Sequence, residues 1–349
     1  MAPRLSICIL AYNRPDELIE VLESIASQGR GDWDVVVSED CSPRSAEIAL
    51  GVQRFAAAHS DLAIHFSSND KNLGYDGNLR SVLDKATGQY VLFMGDDDLL
   101  APDALPRVLA ALTDPGPGFL LRAWKSVDKS SGKVIDSYRY FDGDRDFAPG
   151  IESVAALYRR AVFISGLVFK RELARGFHSD RFDGTLLYQL YLVGRVLMEA
   201  PGRYLDSLVA IRRVGGEHFF GSSEKERGRF APRQLLPSHS VAFIRGMLQI
   251  ARHLDGEACP GVFALIRRDI ARYSYPLLEA QACRVGSREF WKYTRELSRL
   301  GLGRSAAFWL YFLSLAVLGS EQSNQLLRFA KRLLGHTPVL SGSRGTERS

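Results

Sequence analysis

Three consecutive aspartates, Asp96, Asp97 and Asp98, stand directly behind an apolar run, Tyr90-Val91-Leu92-Phe93-Met94-Gly95. An apolar stretch of this length reads as a strand buried on both faces. Ending such a strand in clustered carboxylates is unfavourable, because like charges repel and cannot be buried unpaired. A divalent cation that bridges to a phosphorylated ligand removes the conflict. For the three residues taken alone, a solvated acidic turn is the competing reading.

The pattern around them favours a site. Strand and helix signals alternate through the first half: Leu5 to Leu10 as strand, Asp16 to Ala26 as helix, Asp34 to Ser38 as strand, Ser45 to His59 as helix. Ala63 to Phe66, Gly77 to Ala86 and Tyr90 to Met94 continue it as strand, helix and strand. This predicts an α/β fold, a doubly wound, mainly parallel sheet with helices on both faces. Ligands bind beyond the carboxyl ends of such strands, and Asp40 and Asp96 to Asp98 both fall there.

Further on, Phe119 to Tyr140 mixes strand and loop signals, Phe163 to Phe169 is a strand candidate, and Leu186 to Met198 reads as a helix. Gly215 to Arg229 is polar and glycine-rich, so a mobile loop is expected. Residues from about 233 to 335 have helical periodicity broken near Gly256, Gly286 and Gly301-Leu302-Gly303. The expected organisation is a catalytic and ligand-binding unit at 1–215, a loop and helical region at 216–337, and a disordered tail at 338–349.

Bulk properties narrow the partners. A net charge of +5 is too weak to argue for nucleic acid but suits an anionic ligand or an anionic membrane surface. Four scattered cysteines form no C-x-x-C or zinc spacing, as in a reducing compartment. No signal peptide is visible and no apolar run reaches a spanning length; Ala306 to Gly319 reads as a buried or interfacial helix. No P-loop, H-E-x-x-H or G-x-S-x-G is present, and Gly301 to Ala306 matches a dinucleotide pattern without the preceding strand it needs.

The motifs in their order resemble family 2 glycosyltransferases, which have the GT-A fold. Leu5-Ser6-Ile7-Cys8-Ile9-Leu10-Ala11-Tyr12-Asn13-Arg14 resembles the opening strand of that family, and Val35-Val36-Val37-Ser38-Glu39-Asp40-Cys41-Ser42 its second. Asn72-Leu73-Gly74, Asn78 and Ala86-Thr87-Gly88-Gln89-Tyr90 then lead into Asp96-Asp97-Asp98 in the place of the D-x-D. Ile164 to Phe169 and Gly176-Phe177 resemble the segment before the acceptor helix, so the match covers roughly residues 3 to 215. Asn72 to Asn78 and the helical C-terminal part are similar to abequosyltransferase-like enzymes of bacterial O-antigen synthesis.

The resemblance implies roles. Ala11, Tyr12, Asn13, Arg14, Asn72, Gly74, Asn78, Asp96 and Asp97 would belong to the donor side, and Asp40 would accept a hydrogen bond from the nucleobase. A cap or Asx turn is the alternative for Asp40. Asp98 would ligate Mg²⁺ or Mn²⁺ at the diphosphate, and His218 would touch the metal or diphosphate unless it is merely solvated. Asp183 would be the base that deprotonates the acceptor, with Asp180 its competitor and a helix cap the structural alternative. Position 182 is Phe where the family has an acid. Arg212, Arg213, Lys225 and Arg227 would neutralise phosphate or remain surface charges.

The implied activity is inverting, metal-dependent transfer from a nucleoside diphosphate-sugar to a saccharide, lipid-linked in many of the bacterial members. The implied setting is cytoplasmic, with peripheral membrane contact or self-association through the C-terminal helices. A nucleotidyltransferase-like enzyme would need a Gly-rich, basic loop after the first strand, where Ala11 to Pro15 stands instead. A catalytically silent scaffold would have eroded carboxylates, and Asp40, Asp96 and Asp98 are all present.

Overall fold

The computed structural model describes residues 2–233 and 236–334; the expected tail at 338–349 lies outside them. The first half runs β1 (Leu5–Ala11), α1 (Pro15–Ala26), β2 (Trp33–Glu39), α2 (Ser45–Ala58), β3 (Ile64–Ser68), α3 (Gly74–Lys85), β4 (Tyr90–Gly95), β5 (Leu99–Leu100) and α4 (Ala104–Ala111). It continues with β6 (Phe119–Asp128), β7 (Val134–Tyr138), β8 (Arg145–Phe147), α5 (Ile151–Leu157), β9 (Leu167–Lys170), α6 (Arg171–Gly176), α7 (Tyr188–Glu199) and β10 (Gly202–Val214). Five helices follow: α8 (Pro237–Glu257), α9 (Val262–Arg272), α10 (Tyr275–Ala282), α11 (Ser287–Arg299) and α12 (Ala306–Leu334).

The strands form one mixed sheet in the order β3-β2-β1-β4-β9-β6-β10-β5, with β7 on β6 and β8 on β10. β3, β2, β1 and β4 are parallel, whereas β9 is antiparallel to both β4 and β6. Alternation along β1 separates two apolar layers. Leu5, Ile7 and Ile9 pack with Leu18, Val21 and Leu22 of α1, while Cys8 and Leu10 face the other side with Leu79, Val82 and Leu83 of α3. That second layer continues through Leu190 of α7 and Leu254 of α8 to Phe308 and Phe312 of α12.

Three expectations needed adjustment. α3 begins at Gly74 rather than Gly77, and the apolar run at Phe163 becomes a strand only from Leu167. β10 went unread in the sequence although it pairs with β6 along its whole length. Its register shifts between Leu205 and Leu208 and again before Ala210, so Asp206 and Ser207 interrupt the two-residue alternation that marks a strand. Gly301 opens the turn between α11 and α12 at φ 104, at one of the breaks expected in the helical region.

The start of α7 is capped from outside. The backbone N–H groups of Leu186 and Tyr188 donate to the two carboxylate oxygens of Asp76 on α3, each at 2.9 Å. Helix N-termini leave such donors unsatisfied, and a carboxylate there also meets the positive end of the helix dipole. Asp183, offered as a possible cap, does not serve these donors. Asp76→Ala is expected to lower stability by about 2–4 kcal/mol, because two buried N–H groups lose their acceptor. Asp76→Asn, which keeps one acceptor, should fall between in urea unfolding; an effect below about 0.5 kcal/mol for the alanine variant would contradict this cap.

Candidate functional site

The parallel register brings three strand ends together. Ala11 lies opposite Glu39, and Leu10 opposite Gly95, so Tyr12, Asp40 and Asp96 emerge side by side. Asn13 adopts φ 61 and turns the chain back on itself. The Tyr12 N–H then donates to Asp96 Oδ2 at 2.7 Å, and the Arg14 guanidinium meets Asp96 Oδ1 at 2.8 Å and Asp97 Oδ2 at 3.2 Å. Arg14 thus neutralises two of the three aspartates. Burial pushes the Asp96 carboxyl up, and Arg14 opposes that shift.

Asp98 is held differently. Its side chain is buried, and its Oδ2 accepts from Ser165 Oγ at 2.5 Å, while Ser165 Oγ accepts from the Gly95 N–H at 2.9 Å. Arg122 fixes that segment from within. It is fully buried, its Nε donates to Ser165 O at 2.9 Å, and its Nη2 to Phe163 O at 2.9 Å and Ser165 O at 2.5 Å. Gly166 turns at φ +85, where a Cβ would stand 3.1 Å from Arg122 Nε. Burial pushes the Arg122 guanidinium down to about 10. Burial and Asp97 push the Asp98 carboxyl up, while the Ser165 hydroxyl, the charge of nearby Arg212 and the Arg213 N–H oppose that shift.

The nucleobase candidates form one network. Asp40 Oδ1 accepts from Asn69 Nδ2 and the Leu73 N–H, and Oδ2 from the Gly74 N–H, all at 2.9 Å. Asn72 Oδ1 shares the Gly74 N–H, and Asn78 joins Asn69 Nδ2 to Ser38 O. In this conformation Asp40 orders the entry to α3, which is a capping role at a distance from its own turn. Its oxygens take three donors, and two carboxylate oxygens offer about four acceptor positions.

Glu39 was missed in the sequence. It is fully buried and accepts from Ser42 N–H (2.8 Å), Ser45 Oγ (2.6 Å) and Ser68 Oγ (2.7 Å). Burial pushes its carboxyl up, and those three serines more than reverse this, leaving it below the usual range.

The loop after β10 closes over the site. The Arg14 Nη2 donates to Glu217 O at 2.5 Å and its guanidinium lies 4.9 Å from the Phe219 ring. Phe219 in turn meets Tyr12 edge-on at 5.8 Å. Glu226 is buried and accepts from the Tyr75 and Gly221 N–H groups, each at 2.8 Å, so the loop ties itself to the start of α3. His218 stands near Arg14, Arg212 and Asp97; burial and the two arginines push its pKa down, against a smaller opposing pull from Asp97. Arg213 donates to Asp97 O at 2.6 Å and pairs with Glu20, while Arg212 is exposed near Asp98. Two open depressions lie instead at the amino ends of the strands, around Trp33 and His59 and around Arg4 and Lys170.

Asp183 is not brought against the triple aspartate by any contact. Arg80 of α3 grips it with two bonds of 2.6 and 2.9 Å, and Lys225 of the closing loop pairs with its Oδ2. Gly184 permits the loop's approach, for a Cβ there would stand 2.0 Å from Lys225 O. Asp180 is exposed. The three donors from Arg80 and Lys225 occupy most of the roughly four acceptor positions of the Asp183 carboxylate.

Among the described residues no three His, Cys, Asp or Glu side chains gather into a closed metal site. A divalent cation fits here in the other common manner, on one or two carboxylates with phosphate and water completing the shell. Asp98, buried and without a direct ion pair among the described residues, suits that chemistry.

Residues 6–165 match the family model of Glycosyl transferase family 2, so this part of the chain carries a domain of that family. The abequosyltransferase RfbV of Salmonella typhimurium is 34% identical over 103 residues, 29% of this chain and 30% of that protein. The first curated relatives are matched over only 25% to 34% of their own length. The crystal structure of Staphylococcus aureus TarS 1-349 in complex with UDP-GlcNAc has the same fold (TM-score 0.56, 15% identity, 95% of this chain and 92% of that one). So has the mannosyltransferase PcManGT of Pyrobaculum calidifontis in complex with GDP-Man and Mn²⁺ (TM-score 0.52, 17% identity, 97% and 82%). The GT-A expectation therefore holds.

Glu39 gives the site a pH signature. Its folded-state pKa lies below the ordinary 4.5, so its contribution is complete above pH 4.5 and is lost as the pH falls through the folded value. Glu39→Gln should be less stable than wild type at pH 7, with the gap narrowing below pH 4.5 in urea unfolding. A gap independent of pH would contradict the assignment.

Proposed function

We propose that the protein transfers a sugar from a nucleoside diphosphate donor to a hydroxyl of a saccharide acceptor, with inversion, in bacterial surface polysaccharide synthesis. What carries this reading is the placement of buried Asp98 beside Asp96 at the carboxyl ends of the parallel strands. The nucleoside would lie along Ala11, Tyr12 and Asn13, with Asp40 using its remaining acceptor position for the base and Asn72, Gly74 and Asn78 framing it. Residues 1–215 would hold the donor, and 216–337 would close the site and shape the acceptor side. RfbV, by its name, transfers abequose, and a Campylobacter jejuni relative, by its name, acts on an undecaprenol-linked saccharide; a lipid-linked acceptor, met at the cytoplasmic face of the membrane, would be in keeping with the second likeness.

In the reaction the acceptor oxygen bonds to the anomeric carbon as the bond from that carbon to the diphosphate breaks. Asp183 would take the hydroxyl proton, once Lys225 has moved with its loop. Arg212 and His218 would face the departing diphosphate, and Arg14 would keep Asp96 and Asp97 from repelling it. Asp98, with His218, would hold Mg²⁺ or Mn²⁺, which as a Lewis acid supplies charge neutralisation at the leaving group. Closure by Tyr12, Phe219 and Glu226 would exclude water that competes for the donor.

Thermal-shift titration with nucleoside diphosphates and Mn²⁺ tests the donor site. One nucleotide should stabilise the wild type only with metal, by about 2–3 kcal/mol near a hundredfold excess over Kd, and Asp98→Ala should abolish this. Stabilisation that Asp98→Ala leaves intact would contradict the assignment. For the base, Asp183→Asn should lower kcat by about 10²–10⁴ while leaving nucleotide affinity unchanged. An unaltered kcat with a lowered melting temperature would make Asp183 purely structural.

A further inference from the structure

The aromatic segment Ala306 to Gly319 turns two unlike faces to its surroundings. Phe308, Phe312 and Leu315 are in the core, whereas Leu310, Leu313 and Val317 are 66%, 54% and 78% exposed. The exposed residues, with Ala306, recur at intervals of four, three and four, so they form one stripe along the first half of α12. No charged residue occurs anywhere from Ser305 to Ser320. At Gly319 the backbone leaves helical geometry (φ 74, ψ 175) and the stripe ends.

α11 extends this face sideways. Trp291 is 50% exposed, and its ring lies 5.1 Å from Phe312 of α12, at the border of the stripe. Arg288, Arg295 and Arg299 are exposed and are spaced i−3, i+4 and i+8 from Trp291, so they line its flank; Glu289 and Glu296 fall further round the helix. From residue 281 to 304 the sequence has six Lys or Arg and two Asp or Glu, a net of +4 against +5 for the whole chain. The protein's basic excess is therefore concentrated where its apolar surface is exposed.

We propose that α11 and the first half of α12 form a docking surface for an anionic phospholipid bilayer. Leu310, Leu313 and Val317 enter the headgroup and acyl boundary, Trp291 sits at the interface, and Arg288, Arg295 and Arg299 meet lipid phosphate. The helix lies on the bilayer, since among the described residues no helix is long and apolar enough to cross one. Charge selects the bilayer over a second copy of the chain. A helix pair is normally flanked by charges of both signs, whereas positions beside this stripe are Ala307, Trp309, Ser314 and Ala316. Basic flanks on two copies would also repel. This proposal does not depend on the glycosyl-transfer reading.

The test is flotation of the full chain with phosphatidylcholine vesicles, with and without phosphatidylglycerol. The wild type should float with the anionic vesicles, weakly with the neutral ones, and less at high salt. Leu313→Asp with Val317→Asp, both at exposed positions, should weaken binding by roughly a hundredfold or more with an unchanged melting temperature. Brominated lipid should quench tryptophan fluorescence in the wild type, and quenching should fall in Trp291→Phe. Asp98→Ala should float like the wild type, so loss of the donor site and loss of this surface are read separately. Flotation that the double variant does not reduce would overturn the proposal. So would a wild-type dimer that ignores vesicles and is split by the double variant, which would give this face to a second copy.

Discussion

Three carboxylates at the end of one buried strand must be reconciled with one another, and the surrounding chain is arranged around two ways of doing so. Asp96 and Asp97 are neutralised by Arg14, which reaches back from the β1 turn because Asn13 takes a left-handed conformation. Removing one partner of such a pair leaves a buried charge uncompensated, at about 3–5 kcal/mol, so Arg14 is as much a part of the fold as of the site. Asp98 receives a hydrogen bond from Ser165 and feels Arg212 only from a distance, with no direct ion pair among the described residues. The asymmetry leaves one negative position ready for an external ion and protects the other two from collapse.

Support for that arrangement comes from deep inside the sheet. Arg122, on β6, uses its guanidinium on the carbonyls of Phe163 and Ser165, so the antiparallel insertion of β9 between β4 and β6 is what delivers Ser165 to Asp98. The loop after β10 closes the opposite side through Phe219, Glu226 and Lys225. The aspartate cluster and the loop share Arg14, which touches both the aspartates and Glu217. Movement of the loop therefore changes the electrostatics of the cluster directly.

Much of the β1–β4 unit was legible because continuous apolar strands and amphipathic helices alternate cleanly there, and the acidic residues fall where the parallel ends must meet. The remainder was hidden for identifiable reasons. β10 changes register twice, which erases its alternation. Glu39 looks like half of an acidic pair, and only three serines from separate elements make it a buried acceptor. Glu226 and Lys225 sit in a polar loop whose composition suggests solvent, and the partners that tie them to the rest of the fold, Tyr75 and Asp183, are 151 and 42 residues away. Arg122 lies in an apolar strand with nothing local to mark its target. Asp183 was noticed through the family pattern, but its clamp by Arg80 depends on the packing of α3 against the segment before α7.

The most direct test is a crystal of the protein grown with a nucleoside diphosphate and Mn²⁺, with diffraction measured at the manganese edge. The account predicts an anomalous peak at the Asp98 carboxylate and a base lying between Tyr12 and Asp40. A nucleotide bound there with no peak at Asp98, or a nucleotide bound away from the carboxyl ends of β1, β2 and β4, would contradict it.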